Sequence, residues 1–170
     1  MSSVALRLTT IETPVGAIVV ARNGERICAL GFADRWAGLR KDVEKRFGSV
    51  AWQDDPDGGA PAEALRRYLA GDLSALESVE VDTAGTPFQE KVWRALRRIP
   101  AGRTISYAEL ARAVGFPSAV RAVAGANARN PVSIVVPCHR VIAADGKLAG
   151  YGGGVPRKEW LLVHEGARLV

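Results

Sequence analysis

Between residues 4 and 12, Val4, Leu6 and Leu8 alternate with small or polar neighbours, the period of a strand with one buried face. Thr13-Pro14-Val15-Gly16 reads as a turn, and residues 17–22 as a second strand. Asn23-Gly24 is a hairpin signal, because both residues tolerate positive φ, and residues 26–32 form the returning strand. From residue 34 the pattern becomes that of an amphipathic helix, running to Phe47 and closed by Gly48. Residues 53–59 are a polar loop, 61–70 a short helix ending at Gly71, and 79–81 a further strand. Residues 1–85 therefore predict a small α/β domain on an antiparallel sheet.

The pattern changes near Gly85. Thr86 is a candidate N-cap, Pro87 suits the first helical position, and Gln89 can close a capping box. Phe88, Val92, Ala95, Leu96 and Ile99 then make an apolar stripe of helical period, stopped by Pro100-Ala101-Gly102. Ser106 and Glu109 form a second capping box before Leu110, Ala111 and Val114, and Gly115 ends that helix. Pro117-Ser118 opens a third, from Ala119 to about Arg129. Two short helices around a tight connection predict a helix-turn-helix, so the fold class is α+β, with a mostly helical, winged-helix-like domain at 86–170. The third helix carries Arg121, Asn127 and Arg129 among small residues. Such a helix can approach a second molecule closely or pack closely against its own neighbour.

Composition narrows the class. At 48% hydrophobic and 24% charged, the 170 residues are neither disordered nor collagen-like. Apolar runs such as 17–21 and 134–136 are far shorter than the ~20 residues that span a bilayer. The N-terminus lacks a basic region followed by an apolar stretch, so no secretory signal is expected, and the expected location is cytoplasmic with no membrane partner. The net charge of +5 divides unevenly: residues 1–85 carry −3 and residues 86–170 carry +8. A basic half suits a polyanion, although a basic soluble surface would look the same.

The candidate chemistry lies late in the chain. An apolar, strand-like run, Ile134-Val135-Val136, ends at Pro137 and is followed at once by Cys138-His139-Arg140. Cys28, in a predicted strand, reads as a small hydrophobe. Cys138 has a base and a cation beside it, which together lower a thiol pKa. Adjacent strand residues face opposite ways, so Cys138 and His139 cooperate only if the backbone leaves the strand or a water mediates. On the residues alone, structural and reactive thiols both remain open. Two cysteines and two histidines without close ligand spacing disfavour zinc. Gly146, Gly150, Gly152, Gly153 and Gly154 surround Tyr151 in a loop that permits close approach but lacks the phosphate-loop ending. Residues 156–164 predict a last helix, with Glu165 at its C-terminal end, where a carboxylate opposes the helix dipole and benefits from a partner such as an imidazole.

Together these segments resemble the O6-alkylguanine-DNA alkyltransferase family. The resemblance rests on Pro137-Cys138-His139-Arg140-Val141, Ile105-Ser106-Tyr107, Ala119-Val120-Arg121-Ala122-Val123, Asn130-Pro131, Gly150-Tyr151-Gly152-Gly153, and Arg157-Lys158-Glu159-Trp160-Leu161-Leu162 with His164-Glu165-Gly166. It implies stoichiometric, irreversible transfer of an alkyl group from O6-alkylguanine in duplex DNA to Cys138, with O4-alkylthymine left open. His139 would take the thiol proton through a water, oriented by Glu165. Asn130 would brace the reactive turn. Tyr107 would sit against the target nucleotide, its hydroxyl hydrogen-bonding or protonating the leaving guanine. Arg121 would fill the gap left by a flipped base, with Ala122, Asn127, Ala128 and Arg129 as further DNA contacts. Val141, Tyr151, Gly152 and Gly153 would line the substrate pocket. No cofactor, no metal and no obligate protein partner are implied, and the protein is expected to be a monomer. Some relatives carry a serine at the position of Gly152, so only its amide can face the oxygen here. The competing readings are a helix-turn-helix protein that senses alkylated DNA without transfer, and a Cys-His hydrolase.

Overall fold

A computed structural model describes residues 2–148 and 150–167, and divides the chain into two compact units, 1–83 and 84–170. The fold is α+β.

The first unit is built on four strands, β1 (Val4–Ile11), β2 (Ile18–Asn23), β3 (Arg26–Phe32) and β4 (Val50–Asp54), in the order β3-β2-β1-β4. The antiparallel part is the expected meander, turning between β2 and β3 at Gly24 with φ +62°. Leu6 is buried between exposed Ala5 and Arg7, so the alternation in β1 does set its faces. The sheet is nevertheless mixed: β4 pairs parallel to β1, Val4 opposite Val50 and Leu8 opposite Asp54. Helix α1 (Trp36–Phe47) provides the crossover that a parallel pairing needs. Its Val43 joins Leu6, Ala21, Cys28 and Ala29 in a core edged by Trp36, Leu39, Phe47 and Trp52. Residues 33–35 form a 3₁₀ turn ahead of α1, where the sequence predicted α-helix from 34. Helix α2 (Gly59–Leu69) buries Leu65 and Tyr68. The strand expected at 79–81 reduces to a single bridge between Ile27 and Val81.

The second unit holds helices α3 (Pro87–Arg97), α4 (Tyr107–Ala113), α5 (Val120–Ala128) and α6 (Val155–His164). Both capping boxes form. Gln89 N donates to Thr86 Oγ1 at 3.2 Å while Thr86 N donates to Gln89 Oε1 at 3.0 Å. The Ser106–Glu109 pair does the same at 3.1 and 3.2 Å. Each box satisfies two otherwise orphaned N–H groups and so fixes where its helix starts. Trp93 of α3 donates from Nε1 to the Ala126 carbonyl of α5 at 2.8 Å, and a Cβ at position 85 would fall 2.3 Å from the Trp93 ring, so only glycine fits there. Helices α4 and α5 flank the predicted tight turn, with Gly115 at φ +86°. Two-residue strands β5 (Ile105–Ser106) and β6 (Val141–Ile142) pair in parallel, which the sequence pattern does not reveal. No helix among the described residues is long and apolar enough to cross a membrane.

Candidate active site

The site begins at Asn130. Its side-chain amide donates from Nδ2 to the Val136 carbonyl at 2.7 Å, and its Oδ1 accepts from Val132 N at 3.0 Å. This staple closes residues 131–136 into successive turns, so the strand expected at 134–136 is absent. Ile134 is held at φ +72°, a conformation that costs a β-branched residue about 1–3 kcal/mol and persists only where its surroundings impose it. Pro137 follows, and Cys138–Arg140 form a 3₁₀ turn. Strand alternation therefore does not separate these three side chains. Cys138 and Arg140 are each 7% exposed and His139 is fully buried.

Glu165 caps the end of α6, its N–H donating to Leu161 O at 3.0 Å, and its carboxylate is the hub of the site. Oε2 lies 2.9 Å from His139 Nε2 and accepts from Arg140 Nη2 at 2.8 Å; Oε1 accepts from Arg140 Nε at 2.9 Å. Burial pushes the carboxyl upward, but the bonds from His139 and Arg140 outweigh it and hold Glu165 well below the usual carboxylate range. An ionised carboxylate only accepts, so the neutral imidazole carries its proton on Nε2. Nδ1 is then the basic nitrogen, and it has no hydrogen-bond partner among the described residues. Burial lowers the imidazole pKa, against the opposing pull of Glu165.

The thiol corrects an expectation. A neighbouring cation was to depress Cys138, but the Arg140 guanidinium points to Glu165 and to the Ile99 carbonyl at 2.6 Å. Burial pushes the Cys138 thiol up, with the Asn130 amide and the Lys158 charge only partly opposing it. At rest Cys138 is a protonated thiol that needs a base. Lys158, fully buried on α6, donates from Nζ to the Val141 carbonyl at 2.6 Å. Neither Lys158 nor the role of Arg140 at Glu165 was anticipated. Two cations among the apolar positions that flank the Cys-His pair and line α6 were the available signal.

The remaining predicted residues surround this centre. Tyr107, the first residue of α4, is half-buried, and burial followed by the nearby Cys138 raises its pKa. The backbone at position 150 has φ +69°, which favours glycine, and a Cβ there would also crowd the Tyr107 hydroxyl at 3.2 Å. The Tyr151 ring meets the His139 ring edge-on at 6.5 Å. Val141 is buried in β6, Gly152 is exposed, and the Gly153 carbonyl accepts from Arg157 at 3.4 Å. On α5 and its end, Arg121, Ala122, Ala128 and Arg129 are exposed together. Asn127 is not among them: one turn after Val123, it falls on the inner face and is 3% exposed, which argues against the expected direct DNA contact. No group of three or more potential metal-ligating side chains occurs among the described residues.

A buried thiol, an imidazole with one free nitrogen and a carboxylate hub, carried behind a helix-turn-helix, define a Cys-His-Glu site in a two-unit α+β protein. Residues 87–167 match the DNA binding domain of 6-O-methylguanine DNA methyltransferase, and residues 6–83 match its ribonuclease-like domain. The chain is 54% identical over 164 residues to the methylated-DNA–protein-cysteine methyltransferase of Salmonella typhimurium, covering 94% of this chain and 95% of that one. The crystal structure of Mycobacterium tuberculosis O6-methylguanine methyltransferase superposes with TM-score 0.80 at 40% identity, over 97% of this chain and 95% of that one. The Mycobacterium tuberculosis OGT complex with DNA gives 0.79 at 41% identity, over 94% and 92%. This chain belongs to the methylated-DNA–protein-cysteine methyltransferase family.

Proposed function

We propose that Cys138 accepts an alkyl group from O6-alkylguanine in duplex DNA, once per molecule and irreversibly. The observation that carries this reading is the His139–Glu165 bond at 2.9 Å, which leaves Nδ1 as the basic nitrogen of the residue that directly follows a thiol kept protonated by burial. His139 Nδ1 takes the Sγ proton through a bridging water. The thiolate attacks the alkyl carbon, an S–C bond forms, and the C–O bond to guanine breaks with its electron pair remaining on the base. Tyr107 donates its hydroxyl proton to the departing guanine and is reprotonated by the relay, so one proton moves from sulfur to guanine overall. The thioether that results is stable, which makes the reaction a single event per chain.

A base in the duplex hides its O6 substituent, so the nucleotide must leave the stack, at a cost of a few kcal/mol. Arg121, exposed in the first turn of α5, fills the vacancy. The +8 charge of residues 86–170 supplies attraction to phosphate that is independent of sequence. The exposed Ala122, Ala128 and Arg129 let α5 approach the groove, while Val141, Tyr151, Gly152 and Gly153 frame the extruded base. The relatives' name, methylated-DNA–protein-cysteine methyltransferase, and the DNA complex of the Mycobacterium tuberculosis protein support methylated DNA as the substrate class.

The test is mass spectrometry after incubation with a duplex containing O6-methylguanine. Transfer adds one methyl group, located on the Cys138 peptide. Binding with no mass gain would instead make the protein a sensor of alkylated DNA.

A further inference from the structure

Arg140 has no place in that proton route, yet three of its nitrogens are engaged. Nε and Nη2 hold the two oxygens of Glu165 at 2.9 and 2.8 Å, and Nη1 donates to the Ile99 carbonyl at 2.6 Å. The oxygen that accepts from His139, Oε2, is shared with Arg140 Nη2. Ile99 lies just beyond α3, at the negative pole of that helix, where a cation is favoured. Gly102, in the same turn, comes so close that a Cβ would be 3.1 Å from the Glu165 carbonyl oxygen. The end of α3, the reactive 3₁₀ turn and the end of α6 thus meet around one guanidinium.

We propose that Arg140 is a positioning residue that, by holding both oxygens of Glu165, keeps the His139 imidazole neutral and able to receive the Cys138 proton at neutral pH. This rests on the His139 relay proposed above. A carboxylate bonded to an imidazole ordinarily favours imidazolium, which is useless as a base. A guanidinium is always charged and its planar fork matches a carboxylate. Burial is the first cause that disfavours imidazolium, and the guanidinium adds to it by opposing part of the field of Glu165, while leaving the carboxylate free to accept from Nε2 and fix the tautomer. The other groups facing His139 do not oppose this. The Lys158 cation disfavours imidazolium, and Cys138 and Tyr151 are held protonated, each chiefly by burial. Glu165 is the anion acting on the ring, and Arg140 is its counter-charge. Lysine could not substitute fully, because a compact ammonium cannot grip both oxygens in one plane.

The experiment follows the histidine ring resonances of the full-length, DNA-free protein against pH by NMR. The chain has only His139 and His164, so a His164→Gln variant assigns the spectrum. In Arg140→Gln, His139 should titrate at higher pH than in the wild type. The acid limb of transfer from the free O6-alkylguanine base should move the same way, so that rates on that limb fall about tenfold. Adding Glu165→Gln should return His139 to the neutral form over the same range, an effect that a merely structural arginine would not produce. Should Arg140→Gln fail to fold, Arg140→Lys carries the test, with a His139 titration between wild type and the imidazolium-favoured extreme. A His139 titration unchanged in a folded Arg140→Gln, or identical to wild type in Arg140→Lys, would overturn the proposal. The titration is independent of alkyl transfer, so a failure of Cys138 as acceptor would show in the peptide map and not here.

Discussion

Cys28 and Cys138 are both buried and both free, and burial raises both thiols, Cys28 to about 11. What differs is their company. Cys28 donates to the Ala21 carbonyl at 3.4 Å inside an apolar cluster, whereas Cys138 stands beside His139 and the Asn130 amide. Cys28→Ser should leave transfer nearly intact and cost only stability, while Cys138→Ser should abolish transfer yet keep DNA binding, because a hydroxyl is a far weaker nucleophile. Rate and gel-shift measurements on the two variants check this. A folded Cys28→Ser that lost transfer would reverse the assignment of the thiols.

The proposed relay has a pH signature. His139 is held below its ordinary value of 6.5, so the neutral base persists below that pH and transfer should fall only on further acidification. His139→Ala should cost about 10²–10⁴-fold at neutral pH, and recover only above the ordinary thiol range near 9.0, where Cys138 ionises unaided. Glu165→Gln should act in the same direction, and the double variant should lose little more than His139→Ala alone, as residues acting as a unit do. Additive losses in rate–pH profiles would contradict a connected relay. The same groups couple to stability. Each binds its proton less readily when folded, so its contribution is complete above the unfolded pKa, about 6.5 for His139 and about 4.3 for Glu165, and is lost as pH falls below it.

At the scale of elements, what was legible in the sequence was local. Thr86 with Gln89, Ser106 with Glu109, and Asn23-Gly24 each carry their own hydrogen-bonding or conformational logic within four residues, and each lands where it was read. The elements that were missed borrow their stability from distant partners. Val50–Asp54 is a strand because β1 offers an edge, and Ile105–Ser106 because Val141–Ile142 lies beside it. Residues 134–136 look like a strand by composition, but the Asn130 side chain turns them into the support of the reactive segment. Asn127 looked outward because it is polar, although its spacing from Val123 already placed it inside.

Arg121 supplies the prediction that belongs to α5. If it fills the stack after extrusion, Arg121→Ala should slow transfer from duplex DNA by about 1–3 kcal/mol, part of the extrusion cost. Reaction with the free modified base should change much less, since nothing has to be flipped. The measurement is the ratio of the two second-order rate constants in wild type and variant. An unchanged ratio in a folded variant would remove Arg121 from that role.

At the scale of the whole molecule, charge and the proposed chemistry share residues 84–170, which hold the helix-turn-helix, the thiol and the His139–Glu165 pair. If phosphate contacts dominate and the lesion marks the site, as proposed, the affinity for duplex DNA should fall steeply with salt and vary little with sequence. Titrations at several salt concentrations on unrelated duplexes test this, and a strong sequence preference at fixed salt would count against it.

The central claim is that Cys138 is a terminal acceptor, and its most direct test is a count. The protein is incubated to completion with a large excess of duplex containing O6-methylguanine, and the repaired guanine is measured per protein molecule. A plateau at one repaired base per chain, matched by one methyl group on the Cys138 peptide, is the predicted result; repaired guanine continuing to accumulate beyond one per chain, with Cys138 unmodified, would contradict it.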